Sequence, residues 1–81
     1  MDFSQLKSLT VRELISALEK DGFLCSRTVG SHHRYIHEDG RAVTVTVHRA
    51  SDTFPLGTLS VMLKHQIKWT EDDLRRLRLI R

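Results

Sequence analysis

Apolar residues recur at helical spacing near the start of the chain, and the flanking residues mark where this helix should begin and end. Thr10 and Glu13 have the spacing of a capping box, in which each side chain bonds a free backbone amide of the first turn. Gly22 can take the left-handed conformation that often follows the end of a helix. The apolar stripe between them comprises Val11, Leu14, Ile15 and Leu18. The pattern predicts a first helix over residues 11–21.

The middle of the chain changes to the alternation and the β-branched residues that are typical of strands. The predicted strands cover residues 23–29, 33–37 and 41–48. Gly30-Ser31 interrupts the pattern between the first two strands, and Glu38-Asp39-Gly40 has the composition of a hairpin turn between the last two. The segments together predict three antiparallel strands.

Helical periodicity returns after a loop at residues 49–57. Thr58 is predicted to cap a second helix, with apolar positions at Leu59, Met62, Leu63 and Ile67. Thr70 is predicted to cap a short third helix, with apolar positions at Leu74, Leu77 and Ile80. Because amphipathic helices must bury their apolar stripes, one face of the sheet should take both longer helices. We therefore predict an α+β fold of order α-β-β-β-α with a short C-terminal helix, formed by residues 1–81 as a single domain.

The register of the second hairpin decides which histidine faces away from the helices, because successive side chains of a strand point to opposite faces. A turn with Gly40 as a left-handed bulge pairs Tyr35 with Val43 and puts His32 and Arg34 on the face opposite the core. A two-residue turn would instead bury an unpaired arginine, which is costly. We therefore prefer the bulged register. The other residues expected on the exposed face are Thr44, Thr46 and His48.

Charge and length narrow the range of functions. The chain has 81 residues, with 13 lysines and arginines against 10 aspartates and glutamates, for a net charge of +3. This excess permits a nucleic-acid partner without requiring one. So short a chain has room for a shallow site of a few side chains and not for a cofactor-binding fold. We expect no cofactor.

The cysteine count and the hydropathy pattern bear on location. Cys25 is the one cysteine, so no disulfide can form within the chain, which suits a reducing compartment. The sequence has neither the pattern of a signal peptide nor an apolar run that could span a membrane. We expect a cytoplasmic protein.

Five histidines raise the question of metal binding. His33 and His37 share a strand face but should lie about 13 Å apart, at ~3.3 Å per residue, so they cannot hold one ion. The sequence has no cysteine pair and no His-Glu-x-x-His helix. We therefore expect no metal, and we interpret His33 as packed and His37 and His65 as ordinary surface residues.

The segment Gly30-Ser31-His32-His33-Arg34 combines a turn, a titratable imidazole and a cation that binds phosphate. The sequence around it resembles the HicA family of toxins from type II toxin–antitoxin systems, from Leu6 to about Leu77. A departure is Thr46, where the family often has proline. The segments that carry the resemblance are Glu13-Leu14 to Asp21-Gly22-Phe23, Gly30-Ser31-His32-His33, Asp39-Gly40 with Val43-Thr44-Val45 and His48, Pro55-Leu56-Gly57-Thr58-Leu59, and Leu63-Lys64.

The resemblance implies a fold like a double-stranded-RNA-binding domain, cleavage of mRNA without a metal, and neutralisation by a HicB-type antitoxin. His32, directly after Gly-Ser, corresponds to the family's catalytic histidine. It would act as general base on the ribose 2′-hydroxyl or as general acid on the leaving oxygen. The residues that we expect to contact RNA are Gly30, Ser31, Arg34, Thr58 and His48, although a plain surface role is favoured for His48.

Two other functions stay open. An RNA-binding module without catalysis would need the same fold and basic surface but no reactive histidine. A protein-binding adaptor would use Trp69, a residue type that is enriched at binding hot spots. Trp69 is more simply interpreted as part of the core beneath the third helix.

Overall fold

The first helix begins and ends where its capping residues require. In the computed structural model, which describes residues 4–6 and 8–80, α1 spans Val11–Lys20 and follows a short 3-10 helix at Ser4–Leu6. The Thr10 hydroxyl accepts the Glu13 amide at 3.1 Å, and the Glu13 carboxylate accepts the Thr10 amide at 3.0 Å. Gly22 follows the helix with φ of +99°. The capping box and the left-handed glycine predicted for this helix are confirmed, and Asp21 is its C-cap rather than its last residue.

Three antiparallel strands follow in the spatial order β1-β2-β3. They are β1 at Leu24–Val29, β2 at His32–Ile36 and β3 at Ala42–Thr46. Each strand is close to its predicted position, and β3 is shorter at both ends. The second strand begins at His32 and not at His33, so His32 is already paired on both sides.

The second hairpin has the bulged register. Tyr35 pairs with Val43, and His33 pairs with Val45. Gly40 has a φ of +99°, and its amide donates to the His37 carbonyl at 3.0 Å. Tyr35, Val43 and Val45 are buried, whereas the exposed residues of β2 and β3 include His32, Arg34, Thr44 and Thr46. The predicted register is confirmed, and His33 is half-buried on the core side.

The second helix begins earlier than predicted. Here α2 spans Leu56–Val61 and continues directly into a π-helical segment at Met62–Ile67. Its N-cap is Pro55, whose carbonyl accepts the Leu59 amide at 2.9 Å, and no side chain caps the helix. The prediction that Thr58 caps this helix is wrong: Thr58 lies inside the first turn, because the rigid φ of Pro55 starts the helix without a hydroxyl.

The third helix, α3, spans Glu71–Arg76 and has the predicted cap at Thr70, which forms a capping box with Asp73. It ends before Ile80, which packs half-buried against the core beyond the helix. Together the helices and two strands enclose one apolar core. Its buried members are Leu6, Leu9, Val11, Leu14, Ala17, Leu18, Phe23, Tyr35, Val43, Val45, Leu59, Met62, Leu63, Ile67, Trp69, Leu74 and Leu77. None of the helices in the described part of the chain is long and apolar enough to cross a membrane.

Asp21 connects the end of α1 to the last third of the chain. Its carboxylate accepts hydrogen bonds from Trp69 Nε1 at 2.8 Å, from Arg76 at 2.8 Å and from Arg41 at 3.2 Å. Burial acts to raise the pKa of Asp21, but the hydrogen bonds from Trp69 and Arg76 and the arginine charges outweigh it, so this pKa is below its ordinary value. Trp69 is 3% exposed. Its placement favours a role in the core over a role in protein binding.

Candidate active site and the adjoining groove

One face of the sheet turns away from the helices, and the strand register orders its side chains into three rows. We call it the open face. The rows are Val29–His32–Thr46, Arg27–Arg34–Thr44 and Leu24–Ile36–Ala42. An imidazole and a hydroxyl therefore lie beside a row with two guanidinium groups, and an apolar row follows, in which Leu24 is 74% exposed.

The turn before β2 sets the position of His32. Gly30 has a φ of +58°, a left-handed conformation that glycine takes at little cost, and it reverses the chain between β1 and β2. The Ser31 carbonyl accepts the Val47 amide at 2.7 Å, which fixes the turn to the chain just beyond β3. His32 is exposed, and its Nδ1 lies 3.5 Å from Thr46 Oγ1. A contact through Nδ1 leaves Nε2 to face a ligand.

Arg34 and Arg27 lie opposite each other on neighbouring strands, and both are exposed. Within residues 4–6 and 8–80, neither guanidinium group forms an ion pair with a carboxylate. Like charges in directly opposed positions of a sheet repel each other. An anion bound across this row would relieve the repulsion.

The other histidines of the hairpin do not join this site. His37 was expected to be an ordinary surface residue, and that prediction is wrong. Its Nε2 lies 2.7 Å from the Asp21 carbonyl oxygen, its Nδ1 accepts the Asp39 amide at 3.1 Å, and its ring packs edge-on against Phe23. It is half-buried and ties the hairpin to the end of α1. No group of three potential metal ligands occurs in the described ranges.

A groove of about 660 Å³ runs beside β3, which is an edge strand. Thr46 belongs both to the groove and to the row that contains His32. The lining residues of the groove are Val11, Thr44, Thr46, His48, Asp52, Thr53, Phe54, Pro55, Gly57, Thr58, Val61, Met62 and Gln66.

The loop wall of the groove is fixed by the start of α1. The Val11 amide donates to the Asp52 carbonyl at 2.8 Å, and the Arg12 amide donates to the Ala50 carbonyl at 3.0 Å. These bonds use amides of the first helical turn that have no partner within the helix. The loop is therefore held by backbone contacts, and the groove has a defined shape.

The structure places the predicted site residues in two adjoining groups. The first group lies in the β1–β2 turn, with Gly30 and Ser31, and in β2, with His32 and Arg34. The side chains of His32 and Arg34 lie on the open face. His48 and Thr58 lie in the groove instead, and Thr46 connects the two groups.

Gln66 and the groove were not predicted from the sequence. Gln66 follows Leu59 by seven positions, so a polar residue stands where the apolar stripe of the second helix predicts an apolar one. That break in the pattern is the signal that could have found it.

A family model described as "HicA toxin of bacterial toxin-antitoxin" matches residues 11–67, which is more than half of the chain. The match runs from the first residue of α1 to the last residue of the π-helical segment, so it includes the open face and the groove. No curated protein matches the sequence.

Proposed function

The chain belongs to the HicA toxin family of bacterial toxin–antitoxin systems, and from this premise we propose that it is a metal-independent endoribonuclease that cleaves mRNA with His32 as its catalytic residue. The observation that carries the proposal is the position of His32. It is an exposed imidazole directly after a Gly-Ser turn, on a face that none of the described helices covers, one row from two arginines.

RNA supplies its own nucleophile, which lets so small a site suffice. His32 Nε2 would remove the proton from the 2′-hydroxyl next to the scissile phosphate. The 2′-oxygen then bonds to phosphorus, the bond from phosphorus to the 5′-oxygen breaks, and the departing oxygen takes up a proton from water. The products are a 2′,3′-cyclic phosphate and a 5′-hydroxyl end. A positioned acid or base typically contributes about 10²–10⁴-fold to the rate of such a step.

The surrounding residues would hold the phosphate and its neighbours. Arg34 lies one row from His32 and would balance the charge that develops on the phosphate oxygens. Gly30 and Ser31 would let the RNA backbone approach the turn closely. The amides near Thr58, in the first turn of α2, would bind a further phosphate. His48 lines the groove together with Thr46 and is a second candidate for proton transfer.

A ribonuclease toxin must be silenced in the cell that makes it. We therefore infer that a HicB-type antitoxin binds the chain and covers His32. We also infer that both proteins are cytoplasmic, where the mRNA is. The open face supports this inference, because it combines unpaired arginines with exposed Leu24, Val29 and Ile36. An acidic partner with an apolar contact surface would match it.

The test is a cleavage assay with the purified chain and mRNA in the presence of a chelator. His32→Ala should lower the cleavage rate by at least about 10²-fold and abolish growth arrest, because it removes the proton-transfer group. His65→Ala, at an exposed histidine of the π-helical segment, is the matched control and should cleave like the unchanged chain. Circular dichroism and thermal melting verify that both variants fold.

A folded His32→Ala variant that still cuts RNA would show that the catalytic assignment is wrong. If the unchanged chain binds RNA in a salt-dependent way and leaves it intact, it is an RNA-binding module without catalysis.

A further inference from the structure

One residue of the groove wall carries a buried side-chain oxygen that no described residue uses as a hydrogen-bond acceptor. The side chain of Gln66 lines the groove, and its Oε1 is buried without a hydrogen-bond partner among the described residues. Most buried amide oxygens in proteins are paired, and leaving one unpaired is costly. A ligand in the groove would remove this cost by donating an N–H group to this oxygen once the Gln66 side chain turns the oxygen toward the groove.

The surroundings of Gln66 make an apolar residue the expected choice at this position. Its neighbours Leu63 and Ile67 are fully buried, and the stripe of the second helix passes through position 66. The segment is π-helical, a rare geometry that frequently occurs at functional sites. The unpaired amide oxygen of Gln66 therefore destabilises the fold, and packing of the core does not require an amide at this position.

The groove has the character of a site for a flat ring with a polar edge. Its volume of about 660 Å³ is in the range of pockets that hold small ligands. Phe54, Val61 and Met62 supply apolar wall, and Phe54 is an aromatic ring of the kind on which nucleobases stack. The remaining wall is polar, with the Gln66 amide, a carboxylate, an imidazole and four hydroxyl groups; these residues are Thr44, Thr46, His48, Asp52, Thr53, Thr58 and Gln66.

We propose that the groove binds an unpaired nucleobase next to the cleaved phosphate and that the Gln66 amide bonds its polar edge. This inference rests on the proposed function, since it takes the phosphate to lie at His32 and Arg34. Thr46 then spans both sites, because it contacts His32 and also lines the groove. A base that is paired in a duplex cannot present its polar edge to the groove, so the substrate is single-stranded RNA.

The amide makes the groove selective. Each nucleobase places its N–H and acceptor groups differently, so only some of them can bond Oε1 while the ring lies in the groove. One hydrogen bond gained or lost changes affinity by about three- to tenfold. Gln66 thus acts on the choice of cleavage site, and His32 acts on the chemical step.

The experiment compares Gln66→Met with His65→Met. Methionine has nearly the length of glutamine but no amide, and position 65 is an exposed neighbour that does not line the groove. The first measurement is an NMR titration of the full chain with each of the four nucleoside 3′-monophosphates. The second is the distribution of cleavage sites in a random RNA pool, with the pH dependence of the rate.

The unchanged chain should bind the four monophosphates with affinities that differ by about three- to tenfold, with shifts at the Gln66 side chain, Thr46 and His48. Gln66→Met should bring these affinities close to parity and broaden the cleavage sites, while the pH profile stays the same. His65→Met should retain the preferences. These results would hold for the groove even if the RNA pool stays uncut, in which case the ribonuclease proposal alone fails.

Three results would overturn the inference. The monophosphates could shift residues of the open face and leave the groove unchanged. Gln66→Met could keep the full base preference, while the unchanged chain cleaves RNA as proposed. The groove residues could respond to a bound antitoxin and to no nucleotide, which would make the groove a protein-binding site.

Discussion

Asp21 shows how a single carboxylate can organise a chain of this size. It lies at the end of α1 and accepts hydrogen bonds from the indole of Trp69 and from Arg76 and Arg41. Its side chain is 11% exposed, so the bonds form in an environment with little competing water. Removing the charge would leave two arginines and an indole N–H with weaker partners, and each of these belongs to a different part of the fold.

The lowered pKa of Asp21 predicts acid sensitivity. A carboxyl group whose pKa is lower in the folded chain contributes stability above its unfolded pKa, and this contribution is lost as the pH falls through the folded pKa. Asp21→Asn should reduce the free energy of unfolding at pH 7 by about 2 kcal/mol, because the variant loses charge-assisted bonds. Its stability should also fall less between pH 6 and pH 3 than that of the unchanged chain. Urea unfolding at several pH values measures both effects.

Asp72→Asn is the control for this prediction, since Asp72 is 97% exposed in the first turn of α3. It should unfold close to the unchanged chain at every pH. If Asp21→Asn kept the full acid sensitivity, the titration of other carboxylates would have to account for it, and the role given to Asp21 would be wrong.

At the scale of elements, local signals predicted α1, the hairpin and α3, because their determinants lie within four residues of one another. The capping boxes at Thr10 and Thr70 and the glycine bulge at Gly40 are contacts of this kind. The start of α2 was missed because Pro55 begins it through its fixed backbone and not through a hydroxyl. The π-helical segment, Met62–Ile67, has no local signature in the sequence.

The candidate site divides in the same way. The exposure of His32 and Arg34 followed from the bulged register, which turn chemistry and the cost of burying an arginine predict together. The groove could not be predicted, because it forms between residues that are distant in sequence, such as Thr44 and Gln66. His37 was misjudged for the same reason, since its partner Asp21 lies 16 positions away.

The third helix lies outside the residues that match the family model, yet it completes the core. Leu74 is fully buried, and Arg76 of the same helix bonds Asp21. Leu74→Ala should lower the free energy of unfolding by about 2–5 kcal/mol, because it leaves a cavity beneath α3. Urea denaturation measures this change. Leu24→Ala, at a leucine that is 74% exposed, should cost far less, and an equal loss in the two variants would show that α3 packs only loosely.

At the scale of the molecule, the two faces of the sheet are unlike each other. The helices cover the face of β2 and β3 that carries Tyr35, Val43 and Val45, and the opposite face is exposed. The strand β1 lies outside this covered area, since all six of its residues are exposed. The net charge of +3 is small, so the proposed attraction to RNA would have to come from the local placement of cations and not from the whole charge. Arg27 and Arg34 provide such a placement, because they are adjacent and form no ion pair within the described ranges.

The salt dependence of RNA binding tests this placement. Each phosphate contact with a single strand contributes about 0.7 to the slope of log affinity against log salt concentration. With His32→Ala as the non-cleaving background, Arg34→Gln and Arg27→Gln should each weaken binding to single-stranded RNA and reduce the slope by about 0.7, as measured by fluorescence anisotropy over a salt series. Arg75→Gln removes an arginine that pairs with Glu71 on α3 and should leave the slope unchanged. If all three variants kept the slope of the His32→Ala background, the RNA backbone would not lie across the open face. The phosphate would then have to be sought along the groove.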